Sequence, residues 1–78
     1  MKVDIISSER ELFSDEVELV MVPGVEGYLG ILPHHAALVT EIKPGSITVR
    51  KDGQDTSFEV SSGFVEVTGN TVTVLADE

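Results

Sequence analysis

Apolar residues recur at every second position along most of this chain. Val3 and Ile5 alternate with Lys2 and Asp4, and Val17, Leu19 and Met21 alternate with Glu16, Glu18, Val20 and Val22. The same period returns at Ile47 and Val49, at Phe58 and Val60, at Val65 and Val67, and at Val72 and Val74. Period two marks extended chain, because successive side chains of a strand point to opposite faces. The runs are rich in β-branched residues, which pack well on a pleated surface. Pro23-Gly24, Pro44-Gly45, Asp52-Gly53 and Gly69-Asn70 punctuate them. Asp-Gly favours a tight type I′ hairpin, since both central residues need positive φ. Short strands with a turn every 8–12 residues or so predict an all-β antiparallel sandwich or barrel. No window carries a sustained amphipathic helix. Ser7–Phe13 is read as a loop or a single helical turn.

Several runs are apolar on both faces. Val20 and Val22 oppose Leu19 and Met21, and Phe64 opposes Val65 and Val67. One core accounts for one face of a strand. The other face is expected to close a second sheet or to meet another protein.

Size and charge narrow the function. The 78 residues form one domain, residues 1–78, and contain no cysteine for a disulfide or a thiol site. A core this small yields a net stability on the order of 3–5 kcal/mol, which a bound partner would raise by mass action. With 14 acidic and 5 basic residues the net charge is −9. That balance disfavours nucleic acid, whose binding rests on Lys and Arg against phosphates, and anionic lipid surfaces. It favours a basic protein surface. The longest apolar run, Leu19–Val22, is far short of the roughly 20 residues that cross a bilayer. Met1-Lys2-Val3-Asp4 does not open a signal peptide. The chain is read as cytosolic, or as held on a membrane complex through another protein.

Catalytic constellations are missing. His34 and His35 are sequence neighbours, so on extended chain they point apart and chelate poorly, and no acid at ligand spacing completes a metal site. Ser61-Ser62-Gly63 lacks the setting of a nucleophile elbow and is read as a bulge or kink. Glu16 and Glu18 share a strand face but read as a charged edge. Gly24, Gly27 and Gly30 form no phosphate-binding loop, because no GxxxxGK[ST] and no helix follow. Three Phe and one Tyr without basic neighbours make no stacking platform for bases. The residues therefore describe a small acidic β domain that binds another protein, with a weak metal-binding module through His34-His35 as the alternative.

One segment is more specific. Val22-Pro23-Gly24-Val25-Glu26-Gly27-Tyr28-Leu29-Gly30-Ile31-Leu32-Pro33-His34-His35-Ala36-Ala37-Leu38 resembles the PGxEGELGILPGHAPL pattern of the ε subunit of F-type ATP synthases. The similarity continues through Phe13-Ser14-Asp15-Glu16-Val17, Ile42-Lys43-Pro44-Gly45, Ser62-Gly63-Phe64-Val65-Glu66-Val67 and Val72-Thr73-Val74-Leu75-Ala76-Asp77, all in the family's order. The resemblance implies the ε N-terminal domain, a flattened antiparallel β-sandwich of two roughly five-stranded sheets. It implies a non-catalytic subunit of the central stalk, without cofactor, that couples c-ring rotation to the γ subunit in proton-driven ATP synthesis. It places the chain at the cytoplasmic face of the bacterial plasma membrane as a peripheral part of F1.

The residues that match the family's contact positions are Glu26, Gly27 and Tyr28, in the loop that approaches the polar loops of the c-ring. Ser7, His35, Ala36, Leu38 and Thr40 fall where the family meets γ or the ring. The family's c-ring loops carry an Arg, so an acidic loop has an electrostatic reason, and rim charges of that kind set register and on-rate. The chain departs from the pattern at three places: Tyr28 replaces Glu, His34 replaces Gly and Ala37 replaces Pro. The His34 change implies a turn that does without positive φ or tolerates it. The resemblance stops before the family's two-helix C-terminal domain, either because the subunit is naturally short or because the sequence is truncated. The chain is accordingly expected to show neither ε-type inhibition of ATP hydrolysis nor an ATP site.

Overall fold

The alternating runs become nine strands, with no helix, in a computed structural model that describes all 78 residues. In chain order they are β1 (Lys2–Ile6), β2 (Glu11–Glu16), β3 (Leu19–Gly24), β4 (Gly27–Ile31), β5 (Leu38–Ile42), β6 (Gly45–Lys51), β7 (Gln54–Val60), β8 (Ser62–Thr68) and β9 (Thr71–Asp77). Hydrogen bonding runs in the order β2-β1-β9-β8-β5-β3-β6-β7, with β4 on the free side of β3. The path curls into two layers: β2-β1-β9-β8-β5, and β4-β3-β6-β7.

The layers share a core of 16 residues, among them Val3, Ile5, Val65, Val67, Val72 and Val74 from one and Val20, Val22, Ile31, Ile47 and Val49 from the other. No polar or charged residue is buried. Each fully buried Val or Ile contributes about 1.5–3 kcal/mol relative to exposure. At one side the layers are joined by a single ladder pair, Gly24 with Ile42, flanked by amide bonds from Lys43 to the Pro23 carbonyl and from Val25 to the Glu41 carbonyl. At the other side the two ends of the path meet. The rings of Phe13 (β2) and Phe58 (β7) tilt together at 5.8 Å, and Lys51 Nζ lies 2.6 Å from Asp15 Oδ2.

Four sequence expectations change. The sandwich is not wholly antiparallel, since β1 pairs parallel with β9. The two sheets are one continuous hydrogen-bonded path. Glu11, Leu12 and Phe13, read as loop or helical turn, belong to strand β2, where pairing with β1 outweighs local propensity. Of the bulge or kink expected at Ser61-Ser62-Gly63 only the kink is present, a bend at Ser61, since the β8–β9 register runs unbroken from Ser62–Asp77 to Thr68–Thr71. The irregularity lies instead between Ile5 and Ile6. The Asp52-Gly53 hairpin is as expected, with φ of 52° and 77°.

Gly63 is required for a different reason. At φ 153° a Cβ would run into the Leu75 carbonyl oxygen and sit 2.8 Å from Ala76 Cα, both backbone atoms that cannot move aside. Gly63→Ala should therefore cost about 3 kcal/mol or more, close to the whole stability of a domain this size. Urea unfolding would measure it; an unchanged midpoint would refute the close approach.

Most of the basic side chains are used internally. Arg10 pairs with Glu78, Arg50 with Asp55 and Lys51 with Asp15, while Lys2 lies near Asp4 and donates to Ser14. Hydrogen bonds from these cations lower the pKa of Asp15, Asp55 and Glu78, and the Glu16 amide adds to the effect on Asp15. A carboxyl whose pKa falls on folding stabilises above its unfolded pKa and loses that contribution as pH drops through the folded value. The loss therefore falls below about pH 4. The unpaired acids act in the opposite sense, since protonating them relieves self-repulsion at a net charge of −9. Stability should peak near about pH 5 and fall on both sides. Asp15→Asn should flatten the acid limb. Unfolding midpoints against pH check this, and a maximum at neutral pH would contradict it.

Candidate functional site

The Glu26–Leu38 segment builds two separate features. The first is the β3–β4 hairpin, whose tip is Val25-Glu26. Gly27 leaves the tip at φ 130°, and Gly24 cannot carry a Cβ because one would sit 2.9 Å from the Gly27 carbonyl oxygen. Tyr28 lies opposite Pro23, and its hydroxyl lies 3.5 Å from the Ser46 amide nitrogen. Its ring therefore leans over the start of β6, yet 56% of the residue stays exposed.

The second feature is the turn Leu32-Pro33-His34-His35. The His35 amide donates to the Leu32 carbonyl at 3.2 Å, Pro33 holds the first central position and His34 the second, at φ 66°. This is the pattern of a type II turn, which wants Gly at the second central position. The turn thus keeps positive φ and tolerates His34. The His35 ring donates from Nδ1 to the Ala36 carbonyl at 2.7 Å, which leaves Nε2 as the free ring nitrogen.

Register places the named residues at two ends of the sandwich. Ile42, Gly63 and Ala76 are level with one another, and Ile6 is level with Leu75. Ser7 and the Glu26-Gly27-Tyr28 hairpin therefore share one end. Leu38 aligns with Val67 and Val72, so His35, Ala36 and Leu38 lie at the other end. Thr40 sits midway on β5. A strand of five residues separates the two groups by about 13 Å. Two of the expected contact residues also have partners within the chain. The Ser7 hydroxyl is occupied by the β1–β2 turn, accepting from the Glu9 and Arg10 amides and donating to the Arg10 carbonyl. Leu38 packs against the core.

The two outer faces of the sandwich differ. On β6–β7 each polar residue meets one across the ladder: Ser46 with Glu59 at 2.5 Å, Thr48 with Ser57 at 3.0 Å, and Arg50 with Asp55 at 2.8 Å. That half of the face is satisfied and suits water, while on its β3–β4 half Leu19, Met21 and Tyr28 lie in register with Arg50, Thr48 and Pro23 and stay partly exposed. On the other layer, Ile6, Leu75, Phe64 and Glu41 form one cross-strand row. Phe64 is 53% exposed, Leu75 55%, and Val39 on the adjacent row 68%. An open groove of about 440 Å³ lies beside this row, lined by Ile42, Gly63 and Ala76 among others, with Glu41 and Asp77 as its only charges. Lys43 is the one basic side chain without an ion pair. The surface is thus apolar across the middle and acidic around it. Phe64 and Leu75 were not singled out as contact residues from sequence, although the two-sided apolar pattern of their strands was the signal. No group of three His, Cys, Asp or Glu side chains gathers in a way that could hold a metal ion.

The His34 conformation gives a direct check. A non-Gly residue in the left-handed region costs about 1–2 kcal/mol, and Gly returns part of that as unfolded-chain entropy. His34→Gly is therefore expected to stabilise the domain by about 0.5–1 kcal/mol, a rise in Tm of a few degrees. A lower Tm would argue against the positive φ.

A family profile described as "ATP synthase, Delta/Epsilon chain, beta-sandwich domain" matches residues 1–78. Among curated proteins, the ATP synthase epsilon chain of Dehalococcoides mccartyi is 46% identical over 77 residues, covering 99% of this chain and 55% of its own length. That of Maricaulis maris is 48% identical over 75 residues, covering 96% of this chain and 56% of the relative. The chain therefore spans about half the length of these relatives. Among solved structures, a chain of the Euglena gracilis mitochondrial ATP synthase OSCP/F1/c-ring assembly superposes with a TM-score of 0.91 at 23% identity, over 97% of this chain and 49% of that one. A chain from the central stalk and c-ring of the Tetrahymena thermophila mitochondrial ATP synthase gives a TM-score of 0.86 at 19% identity. At such identities these two structures speak to the fold.

Proposed function

The chain belongs to the ATP synthase delta/epsilon family, in its β-sandwich domain, and from that premise we propose that it is a non-catalytic rotor element of the central stalk, coupling c-ring rotation to a γ subunit. The observation that carries the reading is the asymmetry of the two outer faces. The β6–β7 half of one face is closed by its own cross-strand hydrogen bonds and needs no partner. The opposite face, with Phe64, Leu75 and Val39 exposed beside an open groove, loses apolar surface from water only when something covers it.

The acidic rim specifies the sort of partner. Glu41, Glu66 and Asp77 surround the apolar row, and four of the five basic side chains are engaged within the chain. The complement is an apolar strip edged by Lys or Arg, and such rim charges govern association rate and register. The Glu26 hairpin tip, which belongs to the other layer, lies at the same end of the sandwich as Ile42 and Gly63. It is the element proposed to meet the c-ring, while Ser7, His35, Ala36, Leu38 and Thr40 border the γ-facing side. Tyr28 braced over Ser46 offers the ring an aromatic surface with a hydroxyl tip in place of a carboxylate. No helix is long and apolar enough to cross a membrane, and attachment to the cytoplasmic face of a bacterial plasma membrane would come through the assembly.

Size-exclusion chromatography of the chain mixed with γ at micromolar concentration tests the proposal. Co-elution is expected. Phe64→Glu should weaken binding by about 2 kcal/mol or more, and the same change at Ser57, on the satisfied β6–β7 half, should not. Separate peaks for the unsubstituted chain, or equal effects from both faces, would sink the reading.

A further inference from the structure

The β8–β9 turn supplies a side chain that the docking face does not use directly. Asn70 Oδ1 accepts the His34 amide at 3.2 Å. The only other hydrogen bonds within residues 32–37 are internal: the His35 amide to the Leu32 carbonyl, and the His35 ring to the Ala36 carbonyl. The Asn70 side chain is thus the single hydrogen-bonded tie between this segment and the body of the sandwich.

The turn itself does not call for asparagine. Gly69 has φ 59°, whereas Asn70 is not at positive φ. Gly in the first central position of a two-residue hairpin loop is the type II′ arrangement, in which only that first position needs positive φ. The Asn70 carbonyl accepts the Lys2 amide at 3.0 Å, a bond that any residue could make. What is particular to Asn70 is its amide side chain, and that side chain has one partner, the backbone of His34. His34 in turn is a non-Gly residue at φ 66°. Such a conformation persists where surrounding contacts over-determine it.

We infer that Asn70 is a positioning residue for docking: its side chain fixes the His34–His35 turn against the sandwich, so that His35 and Ala36 meet the partner in a single arrangement. The inference rests on the docking function proposed above. Without the bond, the 32–37 segment samples more states, and apparent affinity falls by the fraction of the time that it is competent. The cost is one of ordering on binding rather than of lost contact.

The experiment uses the whole 78-residue chain, with amide hydrogen exchange followed by NMR and titration of γ followed by calorimetry. In Asn70→Ala, exchange at His34 should accelerate about tenfold or more. The Lys2 amide and the β8–β9 ladder should keep their protection, and the Kd for γ should rise about tenfold. Asn70→Asp keeps an acceptor oxygen in the same place and should restore both readouts, which a general loss of stability would not do. Asn70→Ser, too short to reach His34, should behave as Asn70→Ala and serves if that variant folds poorly. Unchanged His34 exchange in Asn70→Ala would overturn the tie. Accelerated exchange with unchanged affinity would overturn its role in docking. Failure of the unsubstituted chain to bind γ would instead strike the functional proposal, and is recognised by its independence of residue 70.

Discussion

The mutual covering of two apolar sheet faces is the constraint on which the structure depends. The buried residues are almost all Val and Ile, drawn from both layers, and no polar side chain shares the core. Directional bonds between the layers are few: one ladder pair at Gly24–Ile42 with its flanking amide bonds, and an aromatic pair and an ion pair across the opposite opening. Dispersion and water exclusion over the shared interior therefore do most of the joining. This explains why close-approach glycines matter so much. Gly24 and Gly63 lie where backbone meets backbone, and added atoms there would part the strands that carry the core residues.

Much of the fold was legible in the sequence because a strand in a two-layer sandwich imposes a simple rule, one face in and one face out. Val65 and Val67 pointing inward with Glu66 outward, or Ile47 and Val49 against Thr48, follow that rule directly. Where the rule is blurred, reading failed. Glu11–Glu16 has a half-buried pattern with no clean alternation, since β2 is an edge strand whose Phe13 closes the open side rather than filling the centre. The parallel β1–β9 pairing leaves no local trace, because it is decided by residues nearly the whole chain apart. Pairing across that distance is set by how the layers close.

The surface proposed for docking was legible in part. The Glu26–Leu38 segment stood out by its glycines, its proline and its histidine pair, and by its resemblance to a family pattern. Sequence order, however, made it look like one continuous edge. The structure distributes it over two ends, with an apolar face between them made by residues from β1, β5, β8 and β9. Phe64 and Leu75 are adjacent across a ladder but eleven positions apart in sequence, so pattern alone could not unite them. Asn70 was read only as half of a turn signal. Its side-chain partner, His34, is 36 positions away, beyond any local rule.

The parallel pairing of the first strand with the last has a consequence for synthesis. Strand β1 lies between β2 and β9, and β9 is the last of the domain's nine strands to be made. A ribosome adds about 5–20 residues each second, so Val3 and Ile5 emerge several seconds before Val72 and Val74, the neighbours that flank them in the finished layer, exist. During that interval the nascent chain can form local hairpins but cannot close its interior. Assembly of the domain therefore waits until β9 has emerged, and anything that meets the nascent chain earlier meets an open, valine-lined half.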